Sequence, residues 1–285
     1  MMAKIAVLGQ GLMGAAVARK LLQSGLEIIV WNRTAQKCEP LIALGASVAS
    51  SARSAIESAE TVILLTANCT DIGSYLEEPE RALAGRDVIN FVTASPAQAR
   101  VLETFVLNSG ARIINGVIQG FPSDIGKSTT VIAVGGDEDL WKRHESLLRL
   151  LAGSAQYVGA SVALPSVLDA AVMGGFLIGA MSGFLEAVSY ALKDGADLEC
   201  LTPVFQSAIS RIPARAEQLL RDIAETRFVS ADATLEIYLR SMALYGQAFT
   251  DARASNHLIR ANIQRIEDAI AAGDGQSSFA ALIRH

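Results

Sequence analysis

Ile5-Ala6-Val7-Leu8-Gly9-Gln10-Gly11-Leu12-Met13-Gly14 reads as four apolar strand residues, a turn with three spaced glycines, and the opening of a helix running from Ala15 to Ser24. Each glycine has its own reason. The first allows a tight bend, the second lets backbone approach a pyrophosphate, and the third lets helix and strand pack closely. Amides at the start of the helix then face the phosphates. The stretch therefore predicts the first β-α unit of a Rossmann dinucleotide-binding domain, with Gly9, Gly11, Leu12 and Met13 against the cofactor.

The second strand-like run, Glu27 to Trp31, ends at Asn32-Arg33-Thr34. NAD-binding chains usually carry a carboxylate there for the ribose 2′-hydroxyl, and this chain has none. Asn32 and Thr34 offer hydrogen bonds to a 2′-phosphate, and Arg33 and Lys37 offer charge. The expected cofactor is NADPH.

Further out, β-rich runs alternate with helix-like segments as far as about Gly159. The runs are Ser47 to Ala49, Thr61 to Leu65, Val88 to Phe91, Ala111 to Ile114 and Thr130 to Val134. That is the pattern of β-α units around a mostly parallel sheet. Beyond Tyr157 the runs stop. Leu164 to Leu192 reads as one long apolar helix, and Leu201 to Thr226, Asp232 to Ala254 and Ile259 to Ala272 read as amphipathic helices before a Gly273-Asp274-Gly275 turn. The expected architecture is α/β: a Rossmann domain over 1–160, an interdomain helix over 161–192 and an all-helical domain over 193–285. A central helix apolar on nearly all sides needs more cover than three helices give, so a homodimer packed around it is expected.

With 51% hydrophobic and 19% charged residues among 285, the chain has ample material for packed cores. Its net charge is -5 and its 24 basic residues are scattered, which gives no footprint for nucleic acid or an anionic membrane. Cys38, Cys69 and Cys200 are odd in number and widely spaced, suggesting neither a disulfide framework nor a zinc site. His144, His257 and His285 show no metal spacing either, so no metal is expected. The first strand begins at Lys4 and leaves no room for a signal core, which with the cysteines points to the cytoplasm. The uncharged stretch between Asp169 and Glu186 has 16 residues, four of them glycine. It falls short of the roughly 20 that span a bilayer, so it reads as a buried helix.

Four segments together resemble the imine reductase and reductive aminase branch of the β-hydroxyacid dehydrogenase superfamily. They are the Gly9 turn, Trp31-Asn32-Arg33-Thr34, Asn90-Phe91-Val92-Thr93-Ala94-Ser95-Pro96-Ala97-Gln98-Ala99-Arg100, and Asn115-Gly116-Val117-Ile118-Gln119-Gly120-Phe121-Pro122. The likeness covers nearly the whole chain. It implies a Rossmann domain, a long interdomain helix and a helical domain that interlocks with its twin, with active sites between one subunit's nucleotide domain and the other's helices. By the same resemblance Thr93 lies beside the nicotinamide, Ile118 and Gln119 face the substrate, and the substrate is a small imine. Thr66 and Ala67, at the end of the preceding strand, border the cofactor likewise.

Two positions separate the possible chemistries. Hydroxyacid members of the superfamily carry a lysine near the start of the interdomain helix, and here no lysine occurs between Lys142 and Lys193; Asp169 stands in that helix instead. An ammonium suits a developing alkoxide, whereas a carboxylate suits an iminium, so Asp169 shifts the expected acceptor from C=O to C=N. The plain alternative for Asp169 is a helix N-cap or a structural carboxylate. Imine reductases commonly place Tyr or Asp as proton donor where this chain has Leu177. Tyr238, reaching in from the partner subunit, is the substitute that the resemblance offers. Met173, Phe176 and Leu177 would line an apolar pocket, or serve as simple core. The rival readings are a hydroxyacid or alcohol dehydrogenase and a catalytically weak NADP-binding protein.

Overall fold

The computed structural model describes residues 4–68, 82–229 and 232–285. Two compact units emerge, Met1–Phe176 and Leu177–His285. The first is built on β1 (Ile5–Leu8), α1 (Leu12–Gln23), β2 (Ile28–Trp31), α2 (Glu39–Ile42), β3 (Ser47–Val48), α3 (Ala52–Glu57), β4 (Thr61–Leu64) and β5 (Asp87–Asn90). There follow α4 (Pro96–Asn108), β6 (Arg112–Gln119), β7 (Val131–Gly136), α5 (Glu138–Leu151) and β8 (Gln156–Gly159).

The strands form one sheet in the order β3-β2-β1-β4-β5-β6-β7-β8, parallel except where β7 runs against β6. Strand alternation divides the core. Ile5, Val7, Val30, Ile63 and Ile89 meet α1 and α5 on one face, while Ala6, Leu8, Ile29, Val62 and Val88 meet α3 and α4 on the other. Both faces are covered, as a parallel sheet requires.

The register puts Leu8, Trp31, Leu64, Asn90 and Asn115 in one row across the sheet. Whatever follows these residues emerges at a single edge, where open parallel sheets hold ligands. At the opposite edge Asp87 is buried and takes hydrogen bonds from Arg112 at 2.5 Å and Arg143 at 3.2 Å, and lies 2.8 Å from His144 Nε2. His144 is thus part of the scaffold.

Two expectations about this unit need correction. Strand β8 is absent from the expected runs, and β6 continues past Ile114 to Gln119. The strand-like run stops before Asn115-Gly116, but Asn115 is consumed by buried hydrogen bonds and β6 goes on pairing with β7 as far as Gln119 opposite Val131. The extra four residues carry β6 about 13 Å beyond the row of strand ends.

Helix α6 (Leu164–Lys193) is one 30-residue helix, as expected, but the stretch from Asp169 to Glu186 that reads as buried has no buried residue in the single chain, because no other element of the chain encloses it; by length and composition alone the helix is apolar enough to cross a membrane. It is π-helical over Ala170–Ile178, a geometry that often marks functional positions. Asp169 precedes the π segment inside the helix and is not an N-cap. In the second unit α7 (Leu198–Ser210), α8 (Ile212–Ala224), α9 (Leu235–Asp251) and α10 (His257–Ala269) follow. The single helix expected from Leu201 to Thr226 is two, because Pro213 lacks the amide that would continue the ladder and sits instead in the first turn of α8. Leu235, Ile266, Ala269, Ala281 and Leu282 form a small core joining α9, α10 and the tail. The Glu186 carboxylate on α6 accepts from the amides of Leu258 and Ile259 and from the Ser255 hydroxyl, so it caps α10 from a distance.

Candidate functional site

At the ligand edge of the first unit, Gly9 has φ 98°, and a Cβ there would lie 2.3 Å from the Leu65 carbonyl oxygen. A Cβ on Gly14 would lie 1.9 Å from the carbonyl oxygen of Gly9. Both positions exclude side chains. Gly11 differs: its missing Cβ would point into open space, and it heads α1 without a capping side chain. First-turn amides that find no acceptor in a helix are what a pyrophosphate binds. Leu12 is 85% exposed over this opening and Met13 is half-buried.

Asn32 joins the two turns. Its Oδ1 accepts from the Gln10 amide at 2.9 Å and its Nδ2 donates to the Thr34 carbonyl at 2.9 Å, so the side chain expected to bind phosphate also holds the loop. Arg33 and Thr34 are exposed. A cavity of about 520 Å³ beside them is lined by Trp31, Asn32, Arg33, Cys38 and the Ser50-Ser51-Ala52 stretch, with no carboxylate among its walls. The residues present thus fit a 2′-phosphate. Lys37 opens elsewhere, onto a cavity of about 490 Å³ along α1 with Gly11, Leu12, Arg19 and Ser123. Thr66, after β4, donates to the Asn68 carbonyl at 3.1 Å, with Ala67 exposed beside it. Thr93 is exposed just past β5.

The extension of β6 supplies the other wall. Ile118 packs on the core, and Gln119 Nε2 donates to Asp169 Oδ1 at 3.1 Å. Burial pushes the Asp169 carboxyl above the usual aspartate range, although the Gln119 hydrogen bond works the other way. The opposite end of the Gln119 amide, Oε1, is enclosed and has no partner. Met173 is half-buried and Phe176 is 57% exposed.

Beneath this pair lies a network not anticipated from the sequence. Asn90 Nδ2 donates to Asn115 Oδ1 at 2.7 Å, and Asn115 Nδ2 donates to the Val162 carbonyl at 2.7 Å and the Ser166 hydroxyl at 3.3 Å. All three side chains are buried. They tie β5 and β6 to the start of α6 and so fix where Asp169 stands. The signal was present: an asparagine inside each of two apolar strands is costly unless satisfied.

Leu177 and Tyr238 belong to the second unit. There Tyr238 packs against Phe279, ring centroids 5.1 Å apart, and lines a cavity of about 610 Å³ with Arg215, Asp222, Arg227 and Ser278. Among the described residues no cluster of His, Cys, Asp or Glu is arranged to hold a metal ion. Cys38 is buried and Cys200 exposed; Cys69 lies outside the described residues.

Comparison with known proteins adds to this geometry. Residues 4–159 match the profile of the NAD binding domain of 6-phosphogluconate dehydrogenase. Residues 162–285 match the C-terminal domain of NADPH-dependent reductive aminase-like proteins. The chain is 30% identical to an NADPH-dependent reductive aminase of Aspergillus oryzae, over 99% of this chain and 96% of that one. An imine reductase from Myxococcus stipitatus, solved with NADP+, superimposes with a TM-score of 0.94 at 27% identity, covering 99% of both chains. A reductive aminase from Aspergillus terreus, solved with a nicotinamide cofactor, cyclohexanone and allyl amine, gives 0.91 at 27% identity, covering 100% of this chain and 99% of that one.

Proposed function

Because the chain belongs to the family of NADPH-dependent reductive aminases and imine reductases, we propose that it reduces the C=N bond of an imine or iminium ion to an amine at the expense of NADPH. The observation that carries this reading is Asp169: a partly buried carboxyl, held by Gln119, in a helix with no lysine before its last residue, Lys193, where an alkoxide would need one near the start. NADPH supplies the hydride. The chain's own residues do the rest. Gly9, Gly11, Leu12 and Met13 seat the pyrophosphate at the head of α1; Arg33, Asn32 and Thr34 hold the 2′-phosphate, with Lys37 adding charge from the neighbouring cavity. Thr66, Ala67 and Thr93 border the nicotinamide end.

In this reading Ile118, Gln119, Met173, Phe176 and Leu177 shape an apolar pocket, and Asp169 stabilises positive charge on the substrate nitrogen. Leu177 cannot donate a proton, so the acid is Asp169 itself or Tyr238 from a partner subunit. A homodimer and a cytoplasmic setting complete the proposal, with the Rossmann domain at 1–160, the connecting helix at 161–192 and the helical domain at 193–285. Exposed apolar residues along α6, among them Phe184 and Leu185, support a second copy as their cover.

The test is NADPH depletion across cyclic imines, ketone-amine pairs and hydroxyacids or aldehyde-acids at several pH values. Turnover of the imines is expected. Turnover confined to the oxygen substrates would make the protein a hydroxyacid dehydrogenase, and tight NADPH binding without any turnover a catalytically idle one. For the cofactor, Arg33→Ala is expected to weaken NADPH by roughly 10- to 100-fold, as loss of a charge-assisted phosphate contact does, while barely changing NADH. Titration by fluorescence measures both, and an equal loss would remove Arg33 from the 2′-phosphate site.

A further inference from the structure

The side-chain amides around the site differ in how firmly they are held, and Gln10 at the glycine turn, like Gln119, has an enclosed Oε1 without a partner. Asn115 and Asn32 are bonded at both ends, which fixes each in one orientation. Gln119 is bonded at one end only: Nε2 faces Asp169 at 3.1 Å, and Oε1 is enclosed without a partner. The two ends of an amide have nearly the same shape and opposite hydrogen-bonding character. A half-turn about the terminal side-chain bond exchanges them and leaves one enclosed end unbonded in either state. Neither orientation is therefore locked by the protein, and the state of Asp169 decides between them.

Building on the proposed imine reduction, we infer that Gln119 is a turning amide, a positioning residue that accommodates Asp169 in both protonation states and so lets it deliver the proton that Leu177 cannot. When Asp169 is a carboxylate, Nε2 donates to it. When it is a carboxylic acid, its O–H donates to Oε1 of the turned amide. When the imine binds, the acid O–H leaves Gln119 Oε1 and turns to the lone pair of the imine nitrogen. As hydride from NADPH closes the new C–H bond, the C=N π pair moves onto nitrogen and gives the neutral amine. Asp169 is left as carboxylate, Gln119 turns Nε2 back to it, and a proton from solvent restores the acid. Burial of the carboxyl works in the same direction, since it keeps the protonated state within reach.

Among the described residues of its unit no charged group bonds Asp169. The titratable groups on the elements packed against this end of α6 are Arg112 on β6, Tyr157 on β8, and Arg100 and Glu103 on α4. Arg112 is tied to Asp87, the Tyr157 hydroxyl donates to the Gly136 carbonyl, and Arg100 donates to the Pro96 carbonyl. Neither these groups nor Glu103 bond Asp169, whose hydrogen-bond partner is Gln119. Strand β7 carries no titratable side chain, and Asp169 is the one charged residue of α6 up to Phe176.

The test pairs a direct titration with a rate profile. Aspartate labelled with 13C at the side-chain carboxyl is followed by NMR in the cofactor-free protein, with Asp169 assigned by its loss in Asp169→Asn. In parallel, kcat and KM for a five-membered cyclic imine are measured against pH. Gln119→Met keeps the bulk and removes both hydrogen-bonding ends; Gln119→Asn keeps an amide that stops one methylene short. Both variants lose the bond to the charged form and the weaker bond from the acid form; because the charge-assisted bond is the stronger, the Asp169 midpoint is expected to rise, by about one pH unit, a tenfold change in its proton affinity. The alkaline limb of kcat should move to higher pH with it, while the plateau below that limb should fall about tenfold with KM little changed, because the acid is no longer held in position. A midpoint unmoved in the folded variants, or an alkaline limb that ignores Gln119 and follows Tyr238→Phe, would overturn the inference while imine turnover stands. A wild-type protein that titrates as expected yet reduces no C=N substrate would sink both this inference and the proposed function.

Discussion

A buried and a partly buried carboxyl of the first unit respond oppositely to folding, and the contrast separates scaffold from chemistry. Burial alone would raise Asp87, but hydrogen bonds from His144 and Arg112 outweigh it and hold the carboxyl below the usual aspartate range. Such a group favours the folded state above its unfolded pKa of about 3.9, and the contribution is lost as pH falls through the folded value. Asp169 has no cation, and burial dominates and raises it. It favours the folded state below the unfolded pKa, and that advantage is lost as pH rises through its folded value. Removing the two charges should therefore move stability in opposite directions. Asp87→Asn is expected to lower Tm at pH 7 and to converge on wild type as the pH falls below the unfolded pKa and through the lowered folded value. Asp169→Asn is expected to raise Tm at pH 7 to 8, with the gain vanishing towards pH 4 and imine turnover lost. Calorimetry across that range checks both, and a loss of stability at neutral pH in Asp169→Asn would make it a structural carboxylate. Neither contrast was legible in the sequence. Asp87 and His144 lie 57 positions apart, and Gln119 and Asp169 lie 50 apart. Local patterns do not encode such pairs. Gly9, Gly11 and Gly14 were legible because they recur at a fixed spacing within six residues, although only the approach of Gly14 to the Gly9 carbonyl is local and that of Gly9 is to the distant Leu65.

At the scale of elements, the parts of the site that sequence patterns carried well are those whose signals are periodic or capped. Strands β1, β2 and β4 are short runs of apolar residues bounded by turns, and α1 opens directly on its glycine turn. Where a local signal misled, a tertiary partner had overridden it. The strand-like run stops at Ile114, before Asn115-Gly116, yet pairing with β7 carries β6 straight through that dipeptide and delivers Gln119 to the site. Helix α10 shows the same principle. Its N-cap residue, Asn256, makes no capping hydrogen bond, and the cap comes instead from Glu186 on α6. The amides of Leu258 and Ile259 hold that carboxylate below the usual glutamate range, against the effect of its burial. Replacing it with neutral glutamine keeps one acceptor and loses the charge at the positive end of the helix. Glu186→Gln is expected to cost about 1 kcal/mol in urea unfolding, a typical value for a lost cap, with NADPH affinity in the first unit unaltered. A cost near zero would mean that water replaces the cap.

At the scale of the whole molecule, the apolar surface of the second unit remains to be covered. Leu185 is 65% exposed, Leu220 67%, Val204 66% and Leu244 70%. With the apolar length of α6 they are exposed apolar surface of the kind that marks association sites when contiguous. A second copy is the proposed cover, since a symmetric pair buries the same surface on both chains at once. The light-scattering mass is then expected to be twice the 30.1 kDa of the chain. Leu185→Glu distinguishes this from a surface that stays wet. On an exposed helix position the substitution changes stability by no more than about 0.5 kcal/mol, whereas a carboxylate buried at an interface without a partner costs several kcal/mol. The variant is therefore expected to be monomeric at micromolar concentration, with its first unit still binding NADPH. If the active site is completed by a partner's helices, as the proposal for Tyr238 requires, imine turnover should fall in proportion to the dimer lost and return as concentration rises. A monomeric Leu185→Glu with full turnover would remove Tyr238 of the partner subunit from the chemistry and leave Asp169 and Gln119 as a site complete within one chain.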